Sequence, residues 1–246
     1  MKTPYASSNE LAALLKVKQT WLFDADDTTW KSEVAAFAGC CKCVNRYLSS
    51  SGSEIRFTPA ALMEAYRGLN AKAIFSQVAA DYNLPINDEK LISLVAEELD
   101  TAINELRLHC EAAPGIAPVL NGLHDAKKTV AMVSSSALAR LEICLDKTEL
   151  RRFFPRVYSA ADHVKNSKPE PDIYLHALHE LGVEAPMSVA WEDGKSGVLA
   201  SCRAGIDVVG YVGLVPAEKQ DEHALMLIRH GASLVVRHWD DVTEVV

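Results

Sequence analysis

The sequence runs to 246 residues, 49% hydrophobic and 24% charged, which excludes large-scale disorder and suits one large α/β core or a core with a smaller inserted domain. A formal charge of −8, with Lys and Arg scattered rather than clustered, excludes a general electrostatic pull toward nucleic acid, so no nucleic-acid partner is expected. The longest apolar runs, such as Val208 to Leu214, are far too short to span a bilayer, and residues 1–19 lack the continuous apolar core of a signal peptide; no membrane partner and a cytoplasmic location are expected.

In chain order, residues 1–17 carry little beyond a short helical stretch, Glu10 to Leu15, and read as a partly ordered tail. Thr20 to Phe23 is a short apolar run of buried-strand type. The next convincing strand run comes roughly a hundred residues later, well beyond a normal crossover. Residues 32–111 therefore read as an inserted helical domain. Its helices are expected at Glu33 to Leu48, Pro59 to Tyr66, Ala71 to Tyr82 and Asp88 to Leu108, the last with Leu91, Ile92, Val95, Leu99, Ile103 and Leu106 on an amphipathic stripe. Cys40, Cys41 and Cys43 have no second Cys/His pair at zinc-site spacing; they read as buried helix positions, and all six cysteines as reduced thiols.

Pro114-Gly115 punctuates the chain before a helix at Ile116 to Leu123. Strand runs then recur at Thr129 to Val133, Arg156 to Ser159, Ser188 to Trp191, Asp207 to Tyr211 and Ser233 to Val236, with helical periodicity at Leu138 to Leu145, Pro171 to Leu181 and Gly197 to Ala204 between them. Alternation of this kind predicts an α/β fold, a doubly wound Rossmann-like parallel sheet with helices on both faces, formed by residues 18–31 and 112–246.

Ligands of such a sheet bind beyond the carboxyl ends of its strands. After the first run stand Asp24, Asp26 and Asp27; after the next, Ser134-Ser135-Ser136; then, by a loop, Lys168-Pro169; then Glu192-Asp193. Crowded carboxylates are costly unless a cation neutralises them. Carboxylate oxygens that can hold Mg²⁺, with a lysine and hydroxyls to neutralise a phosphoryl group, suit phosphoryl transfer. Taken singly, Lys-Pro is an ordinary loop, Glu-Asp a solvated pair and a serine run a helix cap; their joint placement at strand ends argues for a site.

Asp24-x-Asp26-x-Thr28, Ser134, Lys168-Pro-x-Pro-Asp172 and Glu192-Asp193, in this order, resemble the haloacid dehalogenase superfamily, and the helical insert resembles its C1-type cap. Ser32-Glu33, Tyr66-Arg67-Gly68 and Lys168-Pro169-Glu170-Pro171-Asp172 look like the β-phosphoglucomutase-like branch, rich in sugar-phosphate phosphatases. The resemblance implies Asp24 as nucleophile, forming an aspartyl-phosphate, and Asp26 as general acid and then base. It implies Mg²⁺ held by Asp24, the Asp26 carbonyl, Asp193 and Glu192, directly or through water. Phosphate would be bound by Ser134, the Ser135 N–H and Lys168. Arg67, Gly68 and Lys72 of the cap are candidates for substrate contact, with a solvated helix surface the equal alternative for Arg67 and Lys72.

The implied activity is a phosphatase acting on a small phosphorylated metabolite: a sugar phosphate, a sugar-acid phosphate such as phosphogluconate, or a polyol phosphate. The alternatives are a nucleotide monophosphate phosphatase and a β-phosphoglucomutase-type phosphomutase; the mutases carry a histidine where this chain has Ala36. Four positions depart from the common pattern: Asp27 for glycine, Thr29 for leucine, Lys31 for aspartate and Gly194 for serine.

Overall fold

The structure is a computed structural model that describes residues 4–66 and 69–246. Two compact units divide the chain: residues 1–31 with 111–246, and Ser32–Cys110.

The chain opens with helix α1 (Ser8–Leu15), whose Ser7 cap accepts from the Glu10 N–H while the Glu10 side chain reaches back, a capping box. Leu11 and Leu15 are buried, and Ala6 N–H donates to the Val235 carbonyl at 2.9 Å. The short helical stretch expected at Glu10 to Leu15 is part of this helix, which its two buried leucines, four apart, pack down, so Ser8 to Leu15 is not a loose tail. Strands β1 (Thr20–Phe23) and β2 (Trp30–Lys31) follow.

The second unit is all helical: α2 (Glu33–Ser50), α3 (Pro59–Tyr66), α4 (Ala71–Asp81) and α5 (Asp88–His109). Asn70 and Asn87 cap α4 and α5 by accepting from the N–H groups three residues on. Gly39 lets α2 and α5 approach closely, since a Cβ there would lie 2.8 Å from the Ala102 Cα. Cys40, Cys41 and Cys43 are buried and outside any disulfide in this unit's own core, among Val44, Leu48 and Phe75.

The first unit resumes with β3 (Glu111–Ala112), α6 (Ile116–Asp125), β4 (Thr129–Ser134), α7 (Leu138–Lys147), β5 (Val157–Ser159), α8 (Ala160–His163) and α9 (Asp172–Leu181). It closes with β6 (Ser188–Glu192), α10 (Lys195–Arg203), β7 (Asp207–Tyr211), α11 (Gln220–Arg229), β8 (Leu234–Val236) and α12 (Asp240–Thr243). The six-stranded sheet has order β5-β4-β1-β6-β7-β8, with every pairing parallel. Period-two alternation splits β1 between the faces. Leu22 joins Ala131, Val133, Ala190 and Val208 against α9, α10 and α11. Trp21 and Phe23 stack instead on Trp191, whose ring meets Trp239 at 4.9 Å.

From β1 the chain winds outward through β4 and β5, then returns to β1's other side with β6. The β1–β6 boundary is therefore the topological switch point, where a crevice opens beyond the strands' carboxyl ends. β2 and β3 form a separate antiparallel pair with Lys31 opposite Glu111, so the charge change at Lys31 is met across the ribbon by the opposite charge. This pair lies within the stretch read as free of strands; two residues per strand are too few to register as alternation.

No helix among the described residues is long and apolar enough to cross a membrane.

Candidate functional site

The loop after β1 is built to hold Asp24 still. Asp24 N–H continues the ladder onto the Trp191 carbonyl at 2.9 Å, and the buried Thr29 hydroxyl donates to the Asp24 carbonyl at 2.6 Å. Thr29 and Trp30 both donate their N–H groups to the Ala25 carbonyl, at 2.9 and 3.2 Å, folding the loop back on itself. Asp27 sits at φ +54°, the left-handed region where aspartate is among the better-tolerated side chains. Glycine, which the common pattern has here, adopts that region without steric cost.

Lys168 reaches the same point from the loop before α9. Its ammonium donates to Asp24 Oδ1 at 2.6 Å, Glu192 Oε1 at 2.7 Å and the Val133 carbonyl at 2.8 Å. Its side chain is only 3% exposed and that of Glu192 only 2%. Three strands, β1, β4 and β6, thus contribute to one buried charge cluster. The lysine's loop is itself tied down: Arg203 Nη1 donates to the Pro169 carbonyl at 2.8 Å, and Asn166 Nδ2 to Asp172 Oδ1 at 2.9 Å.

Carboxylate oxygens of Asp24, Glu192 and Asp193 lie within 4.8 Å of one another. With Asp24 and Glu192 both ionised, two carboxylates against one ammonium would leave the buried cluster a net negative charge. Burial pushes the Asp24 carboxyl up to about 8, against the pull of the Lys168 ammonium and with repulsion from Glu192 adding to the rise. The Lys168 ammonium, despite its burial, is held well above the usual lysine range by Asp24 and Glu192. An all-oxygen donor set whose full ionisation one lysine does not balance suits a hard divalent cation such as Mg²⁺, so the residues present fit that ion.

One group that converges here, Tyr174, is not singled out by the sequence. The buried Tyr174 hydroxyl of α9 donates to Glu192 Oε1, beside the lysine, and the Lys168 ammonium lies 5.2 Å from the Tyr174 ring centre. Ser136 Oγ donates to Asp26 Oδ2 at 2.5 Å, while the Ser136 N–H donates to Ser134 Oγ at 3.1 Å. Ser135 Oγ instead accepts from Ser167 Oγ at 3.1 Å. The three consecutive serines thus divide their hydroxyls among different partners, an outcome that three identical letters do not reveal. Thr28 Oγ1 meets Asp193 Oδ1 at 3.3 Å. Lys72 is exposed at the start of α4 in the helical unit, and its carbonyl accepts from Ser76 Oγ at 2.9 Å. Arg67 and Gly68 lie outside the described residues.

Glu192 is sterically locked as well as hydrogen-bonded. A Cβ at Gly197, in the first turn of α10, would overlap the Glu192 carboxylate. Gly→Ala inside a helix ordinarily stabilises by about 1 kcal/mol. Here Gly197→Ala is expected to destabilise by about 1–3 kcal/mol through overpacking and to lower activity by displacing Glu192. Urea denaturation checks the sign, and a gain in stability would refute the packing argument.

A sequence profile described as haloacid dehalogenase-like hydrolase matches residues 21–211. The fructose-1-phosphate phosphatase YqaB of Escherichia coli is 32% identical over 115 residues, covering 47% of this chain and 60% of that protein. The chain therefore spans less than two thirds of that relative's length. A Drosophila melanogaster protein named "Probable pseudouridine-5'-phosphatase" is 28% identical over 182 residues, covering 69% of this chain and 74% of that protein. Among solved structures, a conserved haloacid dehalogenase-like protein of unknown function from Agrobacterium tumefaciens superposes with a TM-score of 0.70 at 27% identity, over 93% of this chain and 97% of that one.

Proposed function

We propose that this chain, which belongs to the haloacid dehalogenase-like hydrolase family, is a Mg²⁺-dependent phosphatase of small phosphomonoesters, with a sugar, sugar-acid or polyol phosphate as substrate. The observation that carries the reading is the Lys168 ammonium bridging Asp24 Oδ1 and Glu192 Oε1 at the sheet's switch point, with Asp193 converging on the same space. The phosphorylated sugar named for the Escherichia coli relative supports the substrate class.

In this reading Asp24 attacks phosphorus, the bond to the alkoxide oxygen breaks, and the alkoxide takes a proton from Asp26. A water then gives its proton to Asp26 and attacks the phosphorus of the aspartyl-phosphate, releasing phosphate and free Asp24. Asp24, Glu192, Asp193 and the Asp26 carbonyl would hold Mg²⁺, which when bound supplies positive charge for the ionised nucleophile and the phosphoryl oxygens. Lys168 shares that task. Ser136, whose hydroxyl holds one Asp26 oxygen, keeps the acid in one orientation. Ser134 and Ser135 stand at the end of β4, where phosphate oxygens would sit.

A second reading, a nucleotide-type phosphatase, is favoured by one observation: the pseudouridine-5′-phosphatase-named relative matches over 69% of the chain. Phosphate release from a panel of sugar, sugar-acid, polyol and nucleoside monophosphates separates the two. We expect kcat/KM for the best sugar-type ester to exceed that for any nucleotide by about tenfold or more, with activity lost in chelator. The reverse ranking would establish the second reading. No release from any ester, or release indifferent to chelator, would sink both.

A further inference from the structure

We propose that His223, on α11, is a positioning residue for the metal-binding acidic loop: its imidazole fixes the backbone of Asp193. The inference rests on the reading of Asp193 as a Mg²⁺ ligand. His223 Nε2 lies 2.6 Å from the Asp193 carbonyl, thirty residues away in sequence. A carbonyl only accepts, so Nε2 carries the proton in this contact.

The loop needs an external support because its own sequence offers little. Gly194, the N-cap of α10, makes no side-chain cap bond, has ordinary extended angles of −115° and 151°, and has nothing within 4 Å of where a Cβ would stand. With no side chain at 194, that position adds no side-chain lock of its own to the turn from β6 into α10. Thr28 Oγ1 steadies the Asp193 carboxylate from the β1 side at 3.3 Å, and His223 holds the backbone from the α11 side. A carboxylate pinned at both ends presents its oxygens in one geometry, as a small octahedral cation requires.

α11 is a firm base for this contact. Gln220, three residues before His223, is buried and donates from Nε2 to the Val215 carbonyl at 3.0 Å, fixing the entry into the helix. Ala224 and Leu227, both fully buried, seat the helix against β7 and β8. His223 therefore reaches the Asp193 carbonyl from a helix that is itself fixed on the sheet.

The test is Mg²⁺ binding measured with the metal alone, by calorimetry and by tryptophan fluorescence. Trp191 directly precedes Glu192, and Trp239 Nε1 donates to the Thr28 carbonyl, so the indoles report on this site. His223→Leu is expected to bind Mg²⁺ about tenfold more weakly, or worse, with secondary structure and melting temperature near those of the parent. His223→Gln, whose amide nitrogen stands where Nε2 does, is expected to recover binding to within about threefold. In turnover assays the defect of His223→Leu is expected in the Mg²⁺ concentration for half-maximal rate, with kcat at saturating Mg²⁺ largely restored. Should His223→Leu lose its fold, His223→Asn, polar but too short to reach the carbonyl, carries the same expectation.

Parental Mg²⁺ affinity in folded His223→Leu, or a His223→Gln no better than His223→Leu, overturns the positioning role while leaving the phosphatase reading intact. A parent protein that binds no Mg²⁺ overturns the metal reading, and this inference with it.

Discussion

Asn in place of Asp24 is expected to abolish turnover, by about 10⁴-fold or more, in a protein that remains folded. The two side chains have nearly the same shape, so the bond that the residue's N–H donates to the Trp191 carbonyl and the one its carbonyl accepts from the Thr29 hydroxyl both survive. The amide oxygen can still accept from Lys168, but the amide is no nucleophile toward phosphorus. Burial holds Asp24 at about 8 in the metal-free protein, so at neutral pH the parent's carboxyl is mostly protonated and already uncharged. Asp24→Asn therefore costs little stability in chelator and can add some, while the stabilisation that Mg²⁺ gives the parent should shrink in the variant. Melting curves with and without Mg²⁺, run beside phosphate-release assays, check both halves. Activity within about tenfold of the parent would remove Asp24 from the mechanism.

Much of the frame behind this prediction is legible in the sequence. β1, β4, β6 and β7 are recognised because each is a compact run of β-branched or aromatic residues, and the acidic and serine residues follow directly because strand ends are also where the apolar run stops. The doubly wound order follows from alternation. What is not legible is lateral. β2 and β3 are two residues each, too short to show a period. α11 hides its stripe because Gln220, a polar residue, occupies a buried position and leaves only Ala224 and Leu227 to mark the apolar face. Without that helix, His223 has no reason to be singled out. Tyr174 reads as one more apolar position on the core face of α9, and only the fold shows that its hydroxyl meets Glu192. Ser136 differs from its two neighbours in nothing but its direction. Strand-end chemistry is local and can be read from the chain; hydrogen bonds between elements depend on packing.

Lys168→Met tests the charge balance of the cluster, and its effect should be large on stability as well as rate. Met keeps most of the apolar stem against Tyr174 but removes the ammonium that satisfies Asp24, Glu192 and the Val133 carbonyl. Removing one partner of a buried ion pair typically costs about 3–5 kcal/mol, because the remaining charge is left without compensation. The pH dependence has a definite sign. The Asp24 carboxyl rises from 3.8 to about 8 on folding, so between these values the folded state binds more protons than the unfolded, and metal-free stability falls as pH rises. Above about 8 the parent's Asp24 is ionised in both states, and its contribution levels off. Lys168 lowers the Asp24 value; without it the folded carboxyl keeps its proton to higher pH still. In chelator the parent and Lys168→Met should therefore run parallel from about pH 5 to 7, with a constant gap, and diverge above about 8, where the variant continues to lose stability. Lys168 itself, held well above 10.5, contributes its full stabilisation below that pH and loses it only as the pH rises through its folded value, so it adds no slope in this window. Denaturant midpoints from pH 5 to 9 decide the matter: a gap that narrows at high pH would mean that the ammonium does not hold the nucleophile's charge.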